Sequence, residues 1–197
     1  MKRAFDFVFA LFGLIILAPI FLILVLIILL TSKGGAFYRQ TRVGQYNKDF
    51  QLLKFRSMYL DSDRLGLLTV GNQDRRITPI GILIRKYKLD ELPQLINVLF
   101  GDMSLVGPRP EVRKYVSFYS EYELKVLDLK PGITDLASIK YRNENEILER
   151  QSNPEKYYVD VIMPDKIKVN LNSYNRSKTV IGSIGIIFLT IKTILLK

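Results

Sequence analysis

Cysteine and histidine are both absent from the 197 residues of this chain. Without cysteine there is no disulfide framework and no thiolate nucleophile, and without either residue type the usual zinc sites are excluded. Catalytic arrangements of the Ser-His-Asp and Cys-His kinds are excluded for the same reason. Any chemistry therefore depends on Asp, Glu, Lys, Arg, Tyr or Ser side chains.

Negative charge is scarce relative to positive charge. The chain carries 29 Lys and Arg residues against 19 Asp and Glu residues, a net charge of +10. Such an excess indicates an anionic partner, either nucleic acid, phospholipid head groups or a phosphorylated substrate. With 48% hydrophobic residues, the chain is long enough for one domain with a real core and too short for two independent ones. We expect one catalytic unit with membrane-associated segments.

The N-terminal segment is a long apolar run. After Asp6, residues 7–32 contain no charged side chain, and the run is long enough to cross a hydrocarbon core of roughly 30 Å. A signal peptide, the first alternative, usually has an apolar core of only about 7–15 residues. Pro19, which follows Ala18 near the middle, removes a backbone hydrogen bond and bends a helix. A spanning helix and a re-entrant hairpin both remain open.

A second apolar stretch, Val180 to Leu196, is interrupted by Lys192 and is short for a membrane span. We favour an interfacial helix there, and a buried core helix is the alternative. The predicted organisation is a membrane helix over residues 1–33, a cytosolic catalytic domain over 34–179 and a C-terminal interfacial helix over 180–197.

The beginning of the catalytic domain favours a short β-hairpin. Residues 36–40 and 50–58 have extended propensity, and a turn is predicted near residues 44–47. The polar, glycine-containing segment 61–74 is predicted to be a loop that folds over the substrate.

Amphipathic helices are predicted to follow the loop, so the fold class is a mainly helical α+β. Thr78 before a proline is typical of a capped helix over residues 79–88, and apolar residues at helical spacing predict a second helix over 92–99. Residues 101–110 are too rich in Gly and Pro for a helix. An amphipathic helical pattern resumes over residues 111–128.

Two adjacent carboxylates, Asp90 and Glu91, lie at the N-terminal end of the second predicted helix. Their plain structural role is a cap and a first-turn acid, both favoured by unpaired backbone N–H groups and the helix dipole. The same position is predicted to keep Asp90 ionised, as a carboxylate nucleophile or a Mg²⁺ ligand requires. The dyad alone leaves both interpretations open.

Basic residues surround the dyad in the sequence. Arg85 and Lys88 precede it, and Arg109 follows in the Gly-Pro-Arg-Pro turn at residues 107–110. Two prolines around one arginine stiffen its backbone and lower the entropic cost of presenting a guanidinium to a phosphate. Acids, bases and turns thus cluster within about thirty residues.

Five short runs follow one another along the chain: FYRQTRVG at residues 37–44, LKFRSM at 53–58, LDELPQLINV at 89–98, GDMSLVGPRP at 101–110 and KPGIT at 130–134. In this order and spacing they resemble the signature blocks of the bacterial sugar transferase family, the monotopic phosphoglycosyl transferases that initiate glycan assembly. Each run alone is a weak signal. Together they are specific, and they cover almost the whole chain.

The resemblance implies a re-entrant membrane helix broken at Ala18 and Pro19, and a catalytic domain facing the cytoplasm at the bacterial inner membrane. It implies that Asp90 attacks the β-phosphate of a UDP-sugar in the presence of Mg²⁺, releasing UMP, and that undecaprenyl phosphate then displaces the covalent phosphosugar. Asp90 and Glu91 would serve catalysis and hold the metal. The residues implied to neutralise phosphate charge are Lys54, Arg85, Arg109 and Arg142.

The sequence departs from the family pattern in two places. It has Ala18-Pro19 at the membrane-helix break, where many members have Ser-Pro with a hydroxyl that satisfies a freed backbone group. After KPGIT it continues as Asp-Leu-Ala-Ser at residues 135–138, where many members have Gly-Trp-Ala-Gln. The second change can alter sugar or nucleotide preference and leaves the dyad intact.

Three other functions are weighed against this one. A nucleic-acid-binding protein accounts for the charge, but the apolar N-terminus argues for inner-membrane lipids as the partner and against nucleic acid. A non-catalytic membrane scaffold and an ordinary glycosyltransferase that releases UDP remain as alternatives. The sequence leaves homo-oligomer formation open.

Overall fold

The computed structural model describes residues 1–62, 66, 68–71 and 74–195 of the chain. The fold is a mainly helical α+β with a small antiparallel hairpin and a long apolar N-terminal helix, which confirms the predicted class. In chain order the elements are α1 (Lys2–Thr31), β1 (Phe37–Val43), β2 (Asp49–Phe55), α2 (Pro79–Lys86), α3 (Gln94–Phe100), β3 (Ser104–Val106), α4 (Arg113–Val116), α5 (Glu121–Leu124), β4 (Gly132–Thr134), α6 (Leu136–Lys140), α7 (Glu144–Glu149), α8 (Pro154–Tyr157), α9 (Met163–Asn172), α10 (Tyr174–Ser177) and α11 (Val180–Leu195).

Helix α1 continues for 30 residues and runs through Pro19 without a break. Its fully buried residues lie towards its two ends, Asp6 and Ala10 in the first half and Leu24 and Ile28 in the second. Every residue from 11 to 20 is at least partly exposed. The rest of the protein therefore holds the helix near both ends and leaves its middle uncovered.

Polar contacts attach the beginning of α1 to strand β3. The buried Asp6 carboxylate accepts hydrogen bonds from Ser104 Oγ at 2.8 Å and from the Leu105 backbone N–H at 3.2 Å. Lys2 Nζ donates to the Val106 carbonyl at 2.8 Å. A carboxylate buried without such donors would be costly, so these residues hold α1 in one position on the domain.

The predicted hairpin is confirmed. Strands β1 and β2 pair antiparallel in a register that sets Phe37 opposite Phe55 and Val43 opposite Asp49. Phe55 is fully buried against the second half of α1. The hairpin therefore ends against α1, and Lys54 is its next-to-last residue.

Strands β3 and β4 form a parallel pair in which Ser104 lies opposite Gly132 and Val106 opposite Thr134. Immediately after β3, a Cβ atom on Gly107 would lie 2.2 Å from the Lys130 carbonyl oxygen, and one on Gly132 would lie 2.0 Å from the Gly107 nitrogen. Only glycine permits this close backbone approach. The contact brings the GPRP turn against the KPGIT run.

Helices α2 and α3 also confirm their predictions. Thr78 caps α2 because its Oγ1 accepts a hydrogen bond from the Gly81 N–H at 3.0 Å. The predicted helix over residues 111–128 is wrong as a single element, since α4 and α5 are separate short helices followed by a 3-10 turn. Ser120 starts α5 through a capping box with Glu123, which makes this point a new helix N-terminus.

The predicted loop over residues 61–74 falls partly outside the described residues, at 63–65, 67 and 72–73. Of the described parts, Ser62 has a 3-10 conformation and the others have neither helix nor strand. Near the loop's end, Arg76 forms an ion pair with Asp74 at 2.6 Å. No closure over a substrate can be read from these residues, so that role stays a prediction.

Helix α11 packs one face on the domain and exposes the other. Ser183 and Ile186 are buried, whereas Ile181, Phe188 and Leu195 are largely exposed. Leu196, the last residue of the predicted apolar stretch, lies outside the described part. Within that part, α1 is the helix that is long and apolar enough to cross a membrane.

Candidate active site

The dyad lies on a 3-10 turn, Leu89–Glu91, between α2 and α3. Lys88 starts this turn with a left-handed backbone, φ 57°. Helix α3 begins only at Gln94. Asp90 is therefore not the cap of an α-helix, and the helix-dipole argument for its ionisation loses force because the first α-helical residue is four positions away.

Asp90 is buried, with only 7% of its surface exposed. Among the described residues, its Oδ1 has no hydrogen-bond partner. Burial and the neighbouring Glu91 charge raise the pKa of Asp90, while Lys54 and Arg85 oppose the rise. The sequence predicted an ionised carboxylate, and in the folded protein that ionisation depends on these cations.

Glu91 is held in a bidentate ion pair with Arg109. Arg109 NH2 lies 2.6 Å from Glu91 Oε1, and Arg109 NH1 lies 3.1 Å from Glu91 Oε2. Burial alone would raise the pKa of Glu91, but the charge and hydrogen bonds of Arg109 outweigh it and hold that pKa well below its usual range. Glu91 is thus a fixed anion at neutral pH.

The GPRP turn positions Arg109 rigidly. Besides the pair with Glu91, the backbone N–H of Arg109 donates to Asp135 Oδ2 at 2.8 Å. The same Asp135 oxygen accepts from Asn170 Nδ2 at 3.2 Å. A side chain presented from a backbone fixed in this way loses little entropy when it binds a ligand.

Two further predicted cations lie beside the dyad. Burial, and then the charges of Arg109 and Arg42, lower the pKa of Lys54 to about 7, whereas Glu91 and Asp90 oppose that shift. Arg85 projects from α2, and its NH2 donates to Thr69 Oγ1 at 3.0 Å. Positive groups on β2, α2 and the GPRP turn therefore converge on one buried carboxylate.

Arg142 is exposed on the turn before α7 and lines an open surface depression with Asn143 and Glu146. Among the described residues it makes no hydrogen bond or ion pair with Asp90 or Glu91. Its contact with a substrate phosphate stays a prediction.

The family model described as Bacterial sugar transferase matches residues 1–197. The chain belongs to the bacterial sugar transferase family. This confirms the resemblance that the five sequence runs indicated.

Individual relatives agree with the family match. Sugar transferase EpsL of Bacillus subtilis (strain 168) is 41% identical over 160 residues, 81% of this chain and 78% of that protein. The UDP-glucose:undecaprenyl-phosphate glucose-1-phosphate transferases of Klebsiella pneumoniae and Escherichia coli (strain K12) are 38% and 36% identical, over 79% and 97% of this chain. The matches cover 34% and 39% of those two proteins, so the chain spans between a third and two fifths of their length.

The sugar transferase has a second polar layer behind Arg109 that sequence reasoning missed. Arg42 NH1 donates to the Pro110 carbonyl at 2.9 Å and lies 3.9 Å from Glu111 Oε2. Tyr158 donates its hydroxyl to Glu111, and burial raises the pKa of Tyr158. Arg42 belongs to the FYRQTRVG run, so the resemblance contained a signal for it, whereas nothing local in the sequence singled out Tyr158.

The two carboxylates of the transferase, Asp90 and Glu91, differ in how well they could bind a divalent cation. The described residues contain no group of three or more acidic, histidine or cysteine side chains that could hold a metal ion. Mg²⁺, however, is commonly bound by one or two carboxylates together with substrate phosphates. Asp90 has a buried oxygen without a partner, whereas both Glu91 oxygens accept from Arg109. Asp90 is therefore the better ligand of the two.

Proposed function

We propose that the chain is a phosphoglycosyl transferase that moves a sugar-1-phosphate from a UDP-sugar to undecaprenyl phosphate through a covalent intermediate on Asp90. The observation that carries the proposal is the buried Asp90 carboxylate, which has an unpaired oxygen and cations on several sides. The Klebsiella and Escherichia relatives are named as transferases that act on UDP-glucose and undecaprenyl phosphate, which supports this substrate class.

The first step forms the covalent intermediate. An Asp90 carboxylate oxygen attacks the β-phosphorus of the UDP-sugar, and the bond from that phosphorus to the bridging oxygen of the α-phosphate breaks. UMP leaves with the electron pair, and Asp90 keeps the sugar phosphate as an acyl phosphate. Lys54, Arg85 and Arg109 offset the charge that develops on the phosphate oxygens.

The second step regenerates the enzyme. A phosphate oxygen of undecaprenyl phosphate attacks the same phosphorus, the Asp90–phosphorus bond breaks, and the lipid diphosphate sugar is released. Mg²⁺ held by Asp90 and phosphate oxygens would supply further charge neutralisation. Because Glu91 is a fixed anion paired with Arg109, we assign it the positioning of that arginine in both steps.

The membrane helix is proposed to be re-entrant and to place the catalytic domain at the cytoplasmic face of the bacterial inner membrane. The same domain contacts α1 near both ends, through Asp6 and through Leu24 and Ile28. A spanning helix would separate its ends by the roughly 30 Å thickness of the hydrocarbon core. Because α1 stays helical through Pro19, the proposed re-entry requires a bend at Ala18 and Pro19, where the proline removes a backbone hydrogen bond, and not the break that the resemblance implied. These two exposed residues would enter the bilayer most deeply.

The absence of cysteine allows a clean test of this topology. Single cysteines in place of the exposed Ala4 and Lys33, one at each end of α1, should both react with a membrane-impermeant maleimide in inverted vesicles and neither in spheroplasts. A cysteine at the exposed Lys48, in the hairpin turn, reports the side of the catalytic domain. Reaction of the Ala4 and Lys33 positions from opposite sides would establish a spanning helix instead.

Helix α11 is proposed to lie in the head-group zone beside α1. Its exposed residues Ile181, Ile184, Phe188 and Leu195 recur at helical spacing on the face away from the buried Ser183. An apolar face of this kind buries itself in the boundary between head groups and acyl chains. The helix thus gives the catalytic domain a second contact with the membrane.

Nucleotide release tests the proposed reaction. The detergent-solubilised protein is given Mg²⁺, undecaprenyl phosphate and one UDP-sugar at a time, and the product nucleotide is identified by chromatography. UMP with one sugar supports phosphoglycosyl transfer and names the substrate. UDP would assign the protein to ordinary glycosyl transfer, and no nucleotide release across a complete sugar panel would favour the scaffold function.

A further inference from the structure

Gln94, the first residue of α3, is almost completely buried and is only 1% exposed. Within the part of the chain that the structure describes, its Nε2 has no hydrogen-bond partner. Buried amide groups are nearly always paired, so an unpaired one needs an explanation. Nothing in the sequence analysis assigned this residue a role.

The neighbouring Asn97 shows what a structural amide does on this helix. It lies three positions further along, on the same side of α3. Its Oδ1 accepts from the Leu53 N–H at 2.9 Å, and its Nδ2 donates to the Gln51 carbonyl at 2.8 Å, which fastens α3 to β2. Gln94 makes no such bond through its Nε2, so it does not fasten the helix in this way.

Gln94 is also next to the dyad. Side chains on a helix lean towards its N-terminus and cover the preceding turn, and the turn before Gln94 holds Asp90 and Glu91. Asp90 Oδ1 is likewise buried and unpaired among the described residues. A donor and an acceptor without protein partners therefore lie in adjacent turns.

We infer that Gln94 is a further catalytic residue whose Nε2 N–H donates to a non-bridging oxygen of the phosphoryl group that Asp90 receives. The inference rests on the proposed function. A neutral donor fixed by burial stabilises charge on that oxygen without competing with Asp90 for the cations Lys54 and Arg85. It acts equally when the phosphoryl group arrives from the UDP-sugar and when it leaves for the lipid.

The test is Gln94→Met, which keeps the volume of the side chain and removes the donor. We expect kcat to fall about 100-fold, the loss typical of removing one such donor, with KM for both substrates within about threefold. The Tm of the substrate-free variant should equal or exceed the wild-type value, because an unpaired buried donor has been removed. Gln94→Glu, nearly isosteric but negatively charged, should lose at least as much activity.

Two matched variants control the experiment. Gln51→Met makes the same change at an exposed position of β2, where it removes only a solvent-exposed hydrogen bond to Thr41 Oγ1. It should leave kcat unchanged and lower Tm by little, whereas Asn97→Leu should lower Tm clearly. Gln94→Met with a kcat within about threefold of wild type would overturn the inference, and so would a loss of activity accompanied by a fall in Tm like that of Asn97→Leu. Wild-type enzyme that yields no UMP would refute the proposed function itself, and this inference with it.

Discussion

Asp90→Asn is expected to reduce turnover by at least about 10⁴-fold, the scale seen when a covalent nucleophile is removed. An amide has nearly the same shape but cannot attack the β-phosphorus as a carboxylate does. The variant should remain folded and membrane-bound, since burial raises the pKa of Asp90 and its charge is not a source of stability. UMP release and the thermal transition of the detergent-solubilised protein measure the two effects.

The matched control for this change is Asp160→Asn. Asp160 is exposed in the segment between α8 and α9, so its replacement should leave both turnover and Tm unchanged. Wild-type turnover in Asp90→Asn would show that Asp90 is not the nucleophile. If Asp90→Asn is inactive because it does not fold, Asp90→Ser takes its place in the same two measurements.

Arg109→Met is the second change with a large expected effect. Turnover should fall about 10³-fold, because the arginine that offsets phosphate charge is lost. Stability should fall by about 2–3 kcal/mol, since the largely buried Glu91 loses its ion-pair partner. The loss is limited because Lys54 and Lys88 still offset part of the Glu91 charge and because Arg109 is one-third exposed. Initial rates and chemical denaturation provide the two measurements.

A double variant separates the two roles of the Glu91–Arg109 pair. Adding Glu91→Gln to Arg109→Met removes the uncompensated charge and should restore much of the lost stability. Activity should stay low, because the guanidinium is still absent. Recovery of activity in the double variant would show that Arg109 matters only as a counter-ion for Glu91.

Local patterns in the sequence predicted the elements that carry the dyad. Thr78 before a proline predicted the start of α2, and two runs of extended propensity around the turn near residues 44–47 predicted the hairpin that holds Lys54. These signals act over a few residues, so one sequence is enough to detect them. The periodicity over residues 111–128 predicted a single helix, and this prediction was wrong because the cap at Ser120 starts a separate helix.

Contacts between distant residues were beyond sequence reasoning. Arg109 was expected to face phosphate, but its bidentate pair with Glu91, 18 positions away, depends on how the GPRP turn packs against β4. Asp6 looked like an isolated charge before the apolar run and instead holds β3, 98 positions away at Ser104. Arg142 was taken from the family resemblance. It lies exposed on the turn before α7, and its contact with a substrate phosphate stays a prediction.

The relation between membrane and active site also follows from long-range packing. The buried Ser104 that binds Asp6 begins β3, and β3 leads through Gly107 into the turn that holds Arg109. Helix α1 is thereby tied to the same backbone that presents Arg109. In the proposed mechanism the lipid would approach along α1, whose second half packs with Leu89 and Leu92 on either side of the dyad.

The measurement that tests the account most directly is the intact mass of the protein after mixing with its UDP-sugar and Mg²⁺ in the absence of lipid acceptor. The mechanism predicts that the mass increases by one sugar phosphate and that about one equivalent of UMP is released. The added mass should be lost when undecaprenyl phosphate is supplied, and Asp90→Asn should form no adduct. An unmodified protein that nevertheless releases UMP once the lipid is added would contradict the covalent mechanism and require direct transfer between the two substrates.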